Sequence, residues 1–310
     1  MKTLFIFPSL PLLVLALGAA NEGENPRRVA ITIDDLPFVS ANALPADEVR
    51  VRTEKLLGHL RSRAVPGVGF VNEGKVYEGD KEDAARVALL ALWLDAGMEL
   101  GNHTYSHLDL HGTALPEFQE DVLRGEVVTR RLLAARARAP RYFRHPFLHT
   151  GTDRETQEGL ERFLSDRGYA VAPVTIDNWD YLFARAYDLA GEREKGRFLE
   201  SYLRYMSAVV EFYEGQSRAI LEYEPPQILL LHASSLNADG LGRLLDALVE
   251  KGYAFVSLEE ALRDPAFSRP DAYVGPGGIT WLHRWAITGG LPKSTFAGEP
   301  EPGAFLTELR

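Results

Sequence analysis

The sequence predicts an α/β fold, a closed or distorted barrel of about seven parallel strands. Three observations point there: short apolar, β-branched runs recur at intervals too long for hairpins, helical stretches fill most of the gaps, and no Gly-rich phosphate fingerprint follows the first run. The strand runs are Val29 to Ile33, Val68 to Val71, Met98 to Leu100, Tyr142 to Phe143, Tyr169 to Thr175, Ile228 to Leu231 and Ala254 to Val256. Helical periodicity covers Ala46 to Arg63, Lys81 to Ala96, Pro116 to Ala137, Asp153 to Arg167 and Asp239 to Lys251. Polar residues follow the strands: Asp34 and Asp35, His103, Arg144 and His232. In a barrel of parallel strands those ends share the face on which active sites are built.

Two segments break the rhythm. From Asp188 to Tyr223 a helical insertion carries Leu199, Tyr202, Leu203, Met206, Val210 and Tyr213 at helical spacing. It reads as an amphipathic helix packing on the barrel, with an aromatic wall for a substrate groove as the sharper alternative. After Ala261 the chain turns rich in Gly and Pro around Trp281, Arg284 and Trp285, which predicts a C-terminal tail wrapped on the domain.

The chain has 310 residues, 45% of them hydrophobic and 25% charged, enough for a sizeable core. Residues 1–20 differ from the rest: Lys2, an apolar run from Leu4 to Leu17, then Gly18-Ala19-Ala20. That pattern predicts a cleaved secretory signal peptide, because the run is shorter than the roughly 20 residues a span needs. The mature protein is therefore expected to be exported, periplasmic or secreted, with no membrane span. There is no cysteine, which excludes disulfides and a lipidated N-terminal cysteine. A formal charge of −10 and the lack of a basic, aromatic-interleaved run argue against nucleic acid as a partner.

His103 and His107 lie four residues apart, and imidazole with carboxylate suits zinc. Three protein ligands plus water make an open catalytic site, and Asp35 could supply the third. Each piece alone is weak, since paired aspartates also serve as turn or capping residues. Their joint order is more specific. Thr32-Ile33-Asp34-Asp35, His103 to His107, Arg144-His145-Pro146-Phe147, Asp177 to Tyr181, and Leu230-Leu231-His232 resemble the five successive motifs of the polysaccharide deacetylases, carbohydrate esterase family four, also known as the nodulation-protein homology domain.

The resemblance runs from about Arg28 to Ser257 and implies a distorted (β/α) barrel that removes acetyl groups from N-acetylated or O-acetylated carbohydrate. It divides the chain into a signal peptide (1–20) and one catalytic domain (21–310). That domain would have a core of about 28–257, a helical insertion of about 188–223 and a C-terminal extension of about 262–310. It implies that Asp35, His103 and His107 hold a divalent metal, zinc first, with cobalt, nickel or manganese as alternatives. Asp34 becomes the general base, braced by Arg144, and His232 the general acid. The backbone N–H of Phe147, after Pro146, becomes an oxyanion donor, a position where the family usually has tyrosine. Leu230 matches the residue lining the acetyl pocket. Asp180, followed by Tyr181, matches the carboxylate that holds the acid, with Asp177 as the alternative because Trp179 precedes Asp180 here.

Leu36-Pro37 replaces the usual Gly after the aspartate pair. His111, His145 and His149 are assigned to surface or supporting roles, His59 and His283 to ordinary surface or packed positions. Two other readings share these residues: the same chemistry on a small amide or lipid-linked sugar, and an inactive carbohydrate-binding relative. The second is expected to have lost a ligand, base or acid, and none is missing.

Overall fold

The computed structural model describes residues 26–307, so the segment read as a signal peptide lies outside the described residues. Strand β1 (Arg27–Leu36) is the centre of the sheet, and its residues Val29 to Asp34 are buried on both faces, as a central parallel strand requires. Around it stand β2 (Val68–Val71), β5 (Glu99–Asn102), β6 (Tyr142–Phe143), β7 (Ala170–Val171), β8 (Gln227–His232) and β9 (Tyr253–Phe255). The order is β7-β6-β5-β2-β1-β8, all parallel, with β9 pairing only the start of β1. Strands β3 (Tyr77–Glu78) and β4 (Lys81–Glu82) form a separate two-residue hairpin, which occupies the beginning of the helix expected from Lys81.

The run Tyr169 to Thr175 is divided between two jobs. Ala170 and Val171 pair with β6 at one edge of the sheet, and Ile176 bridges Leu229 of β8 at the other. Thr175 and Ile176 both donate backbone bonds to the Ile228 carbonyl. One short segment therefore reaches both edges and curls the sheet into a distorted barrel.

Helices α1 (Ala46–Ser62), α2 (Ala84–Asp95), α5 (Arg154–Asp166) and α8 (Ser235–Glu250) cover the sheet. In α1 the buried residues Val49, Thr53, Leu56, Leu57 and Leu60 recur at helical spacing, and Asp83 caps α2 through the Ala85 and Arg86 N–H groups. The helix expected over Pro116 to Ala137 is broken into α3 (Leu115–Arg124) and α4 (Val127–Ala134). Gly125 sits at the break, where an added Cβ would lie 2.4 Å from the Thr104 carbonyl carbon. The missing side chain lets the histidine loop rest against the helix junction.

The predicted insertion comprises the end of α6 (Asp180–Leu189) and the long α7 (Lys195–Leu221), so it is not one helix from Asp188. Its aromatic stripe is core: Tyr202, Tyr205, Met206, Val210 and Tyr213 are buried, and they form no groove wall. Beyond the short α9 (Leu258–Ala261) the tail forms α10 (Trp281–Thr288) and α11 (Pro302–Thr307). The Trp281 N–H donates to the Val174 carbonyl at 2.8 Å, and Trp281, Leu282, Arg284 and Trp285 are buried. The tail is thus built into the fold. No helix among the described residues is long and apolar enough to cross a membrane.

Candidate active site

The register of the sheet sets the centre of the site. Asp34 is the pairing partner of His232 across β1 and β8, so the two side chains leave the sheet together at its C-terminal edge. Just beyond Asp34, β1 bulges between Ile33 and Leu36, and Asp35 takes a positive φ of 71°. Adjacent aspartates are in this way turned to different positions. The Leu36-Pro37 bond that follows is cis.

His103 leaves the end of β5, and the loop after it holds Thr104 and His107 at φ of 65° and 56°. Non-glycine residues in that region are uncommon and gather at functional sites. His103 Nδ1 donates to the Arg144 carbonyl at 2.8 Å, since a carbonyl can only accept, which leaves the Nε2 lone pair free for a metal. Ligand atoms of Asp35, His103 and His107 all lie within 4.8 Å of one another. Two nearby carboxylate oxygens, Asp34 Oδ1 and Asp35 Oδ1, are buried without a hydrogen-bond partner. A carboxylate, two imidazoles and orphaned buried oxygens fit a divalent cation of the zinc type. Lys75 Nζ, 3.4 Å from Asp35 Oδ1, adds a positive charge that the motifs do not contain.

Electrostatics separate the two aspartates. Burial pushes Asp34 up to about 6, against the lowering influence of Arg144 and His232. Burial acts on Asp35 too, but Lys75 and the imidazoles of His232, His107 and His103 outweigh it and hold that carboxylate well below its ordinary range. One carboxylate is poised to exchange a proton near neutrality, and the other is fixed as an anion.

Arg144 departs from the expected contact. It is fully buried, its Nη2 donates to Thr32 Oγ1 at 2.8 Å, and its guanidinium lies 4.8 Å over the Phe70 ring. No ion pair joins it to Asp34 among the described residues. Thr32 precedes Asp34 by two on the same face of β1 and takes the guanidinium first. Arg144 therefore acts on Asp34 through space and does not brace it by direct contact.

The alternative between Asp177 and Asp180 is resolved by geometry. His232 Nδ1 bonds Asp180 Oδ1 at 2.6 Å, while Asp180 Oδ2 accepts from the His232 backbone N–H at 2.8 Å and from Asn237 Nδ2 at 2.7 Å. Burial would lower His232, but the charge and hydrogen bond of Asp180 override it and push the imidazole up to about 10. Asp177 lines the cleft, accepts from the Asn178 N–H and is pushed up to about 6 by burial. Three positioning residues were not visible in the sequence. Asn237 holds Asp180, Asn178 bonds both the Leu230 carbonyl and the Asp180 N–H, and Tyr205 Oη accepts from the Trp179 N–H at 3.0 Å. Ser234, which caps α8, was the faint signal for Asn237, because it fixes that side chain in the first turn beside His232.

These groups border one cleft of about 500 Å³, which also takes in Phe147, Asp177, Trp179, Tyr181 and Leu230. Arg144, Asp180 and Pro146 are buried behind it. Phe147 is 53% exposed at the rim with φ of 56°, its ring 4.5 Å from His107, and Trp179 and Tyr181 are each 43% exposed. Gly278 of the tail also lines the cleft, and a Cβ there would strike the Phe147 carbonyl at 1.7 Å. His145 is buried against the cleft, whereas His111 and His149 stack on each other. His59 bonds the Ala238 carbonyl, and His283 is packed against Phe296.

Residues 21–162 match the sequence model of the polysaccharide deacetylases, a stretch containing Asp34, Asp35, His103, His107, Arg144 and Phe147. Over that stretch, 142 of the 310 residues, the chain is similar to a polysaccharide deacetylase domain. No curated protein sequence matches it. Solved structures similar to this chain include a peptidoglycan deacetylase of Bacillus subtilis, 18% identical, covering 77% of this chain and 93% of that one with a TM-score of 0.49. A family 4 carbohydrate esterase of Streptomyces lividans, in complex with acetate, is 18% identical over 76% of this chain and 95% of its own, with a TM-score of 0.47. A family pseudoenzyme of Bacillus anthracis is 20% identical over 77% of this chain and 66% of its own, with a TM-score of 0.47. Asp180 and His232 lie beyond the matched residues, so any role for them rests on the geometry alone.

Proposed function

We propose that this chain is an exported, metal-dependent hydrolase that removes acetyl groups from N-acetylated or O-acetylated carbohydrate. The observation that carries the reading is the convergence of a three-ligand set, a buried carboxylate and a carboxylate-held imidazole on one cleft. Asp35, His103 and His107 would hold the ion, with zinc the best match to the donors. When bound, a divalent ion there supplies polarisation of an acyl carbonyl and acidifies water.

The chain's own residues carry the rest. Asp34 takes a proton from the attacking water at its carboxylate as the new bond to the acyl carbon forms. Its value near 6 in the metal-free protein places it in the working range of a base, and a nearby cation lowers it further. The Phe147 backbone N–H serves the developing oxyanion; because the donor is main chain, phenylalanine replaces tyrosine without loss of that bond. His232 enters protonated, held through Nδ1 by Asp180, and gives its Nε2 proton to the amine or alkoxide as the bond to the acyl carbon breaks. Acetate and a free amino or hydroxyl group are the products.

The half-exposed rings of Phe147, Trp179 and Tyr181 suit the apolar faces of a sugar, and Leu230 offers a wall for the acetyl methyl. Mass spectrometry of acetylated chito-oligosaccharides, acetyl-xylan fragments and peptidoglycan pieces after incubation with the mature protein tests the reading. Loss of acetyl groups from one class identifies the substrate; intact substrates with metal-loaded protein reject the reading.

A further inference from the structure

A second set of donors lies next to the cleft but outside it. The Phe147 ring touches His107 on one side and His149 on the other, at centroid distances of 4.5 and 5.7 Å. Beyond it Asp109, His111 and His149 each present a ligand atom, and these atoms lie within 4.8 Å of one another. His149 Nδ1 bonds Asp109 Oδ1 at 2.6 Å, and the same oxygen accepts the His111 backbone N–H at 2.8 Å. The His111 and His149 rings are stacked, 3.7 Å apart with planes 6° from parallel.

His111 is the informative member. Both its ring nitrogens are closed to solvent and neither completes a hydrogen bond of normal geometry, although the Pro276 carbonyl faces the ring. A neutral imidazole has one N–H and one lone pair, and leaving such a buried group unsatisfied is unfavourable. Asp109 and His149 alone would be an ordinary surface pair. The Pro276 carbonyl can take at most the one N–H of the His111 ring, so a buried lone pair is left over beside the pair, and the three together make a ligand set. The Arg284 guanidinium, which faces His111, is already neutralised by Asp271 at 2.6 Å.

We infer that Asp109, His111 and His149 form a second divalent-metal site that takes zinc or a cation of similar softness. One carboxylate and two imidazoles suit that class, and three protein ligands leave room for water. The ion takes the place of the proton between His149 Nδ1 and Asp109 Oδ1, so binding releases that proton. Bonds of roughly 2.0–2.2 Å need ligand atoms about 3–3.5 Å apart. The two stacked rings rotate apart so that both lone pairs face the ion. Asp109 and His111 follow His107, and His149 follows Phe147, so the ion fastens the histidine loop to the loop carrying Phe147. This site is independent of the reading given above for the cleft.

Calorimetric titration of the chelator-stripped full chain with zinc tests it, using wild type, His103→Ala, His149→Ala and Asp109→Asn. The expected result is two equivalents for wild type and one for each variant. Asp109 is 44% exposed, so its substitution leaves the core untouched, and circular dichroism of each stripped protein verifies the fold. One equivalent in wild type, unchanged in His149→Ala and Asp109→Asn, overturns the inference. Loss of one equivalent in those two variants with none lost in His103→Ala upholds this site and rejects the one in the cleft.

Discussion

Replacing Asp180 with Asn separates the proposed acid from the group that holds its proton. His232 stands near 10 where a free imidazole stands at 6.5, a preference for the charged form on the order of 5 kcal/mol. Asp180 supplies both the largest raising charge and a hydrogen bond, whereas burial pulls the other way. Without the carboxylate the pull of burial is opposed only by Asp35 and Asp34, so His232 drops far below 10 and loses its hold on the proton. The acid arm of turnover is then lost, and kcat/KM at pH 7 drops by about 10²- to 10⁴-fold. Acetate release measured from pH 5 to pH 11 reads this directly: the alkaline limb moves to lower pH by several units in Asp180→Asn. A bound dication lowers His232 in both proteins, so the displacement between them is the decisive quantity. The amide cannot accept every hydrogen bond that Asp180 Oδ1 and Oδ2 accept, so stability also falls, by about 1–3 kcal/mol. A folded Asp180→Asn protein whose alkaline limb coincides with wild type would refute the assignment.

The same pair links stability to pH in the metal-free protein. His232 is raised in the folded state, so its contribution is fully present below about 6.5 and is lost as pH rises towards about 10. Chemical denaturation across that window detects the decline, which Asp180→Asn abolishes. Asp34→Asn is expected to keep metal affinity while turnover falls about 10²- to 10⁴-fold; loss of metal binding in Asp34→Asn with metal binding kept in Asp35→Asn, read by titration, would mean the two aspartates exchange roles. Gly125→Ala drives a methyl into the Thr104 carbonyl, costs about 1–3 kcal/mol in a thermal melt and weakens zinc binding through the histidine loop. Gly278→Ala pushes on the Phe147 carbonyl and lowers kcat more than KM rises, because shifting that residue's backbone also moves its N–H, the proposed oxyanion donor; an unchanged kcat would detach the tail from the site.

Much of this was legible because parallel strands of an α/β fold announce themselves as short apolar runs and end in their functional residues. Val68 to Val71 and Tyr142 to Phe143 match β2 and β6 residue for residue. What escaped were effects that arise only between distant segments. The break between α3 and α4 answers to the approach of Thr104, which no periodicity encodes. Arg144 was matched to Asp34 by motif, yet Thr32 stands in the way, a matter of which same-face neighbour is nearer. Asn237, Lys75 and Tyr205 support the site from segments that carry no motif, and Asn178, though inside one, is of a residue type that also serves in ordinary turns. The C-terminal stretch looked like a tail because Gly and Pro dominate it, but Thr280 caps a buried helix there.

Zinc-dependent acetate release tests the central proposal most directly. The mature protein is stripped with chelator, incubated with an N-acetylated chito-oligosaccharide or whichever acetylated glycan the mass spectrometry identifies, and assayed before and after zinc is returned, with His103→Ala in parallel. The account predicts that acetate release stops on stripping, resumes with zinc and is absent from His103→Ala throughout. Undiminished release from the stripped protein, or from His103→Ala, would contradict it.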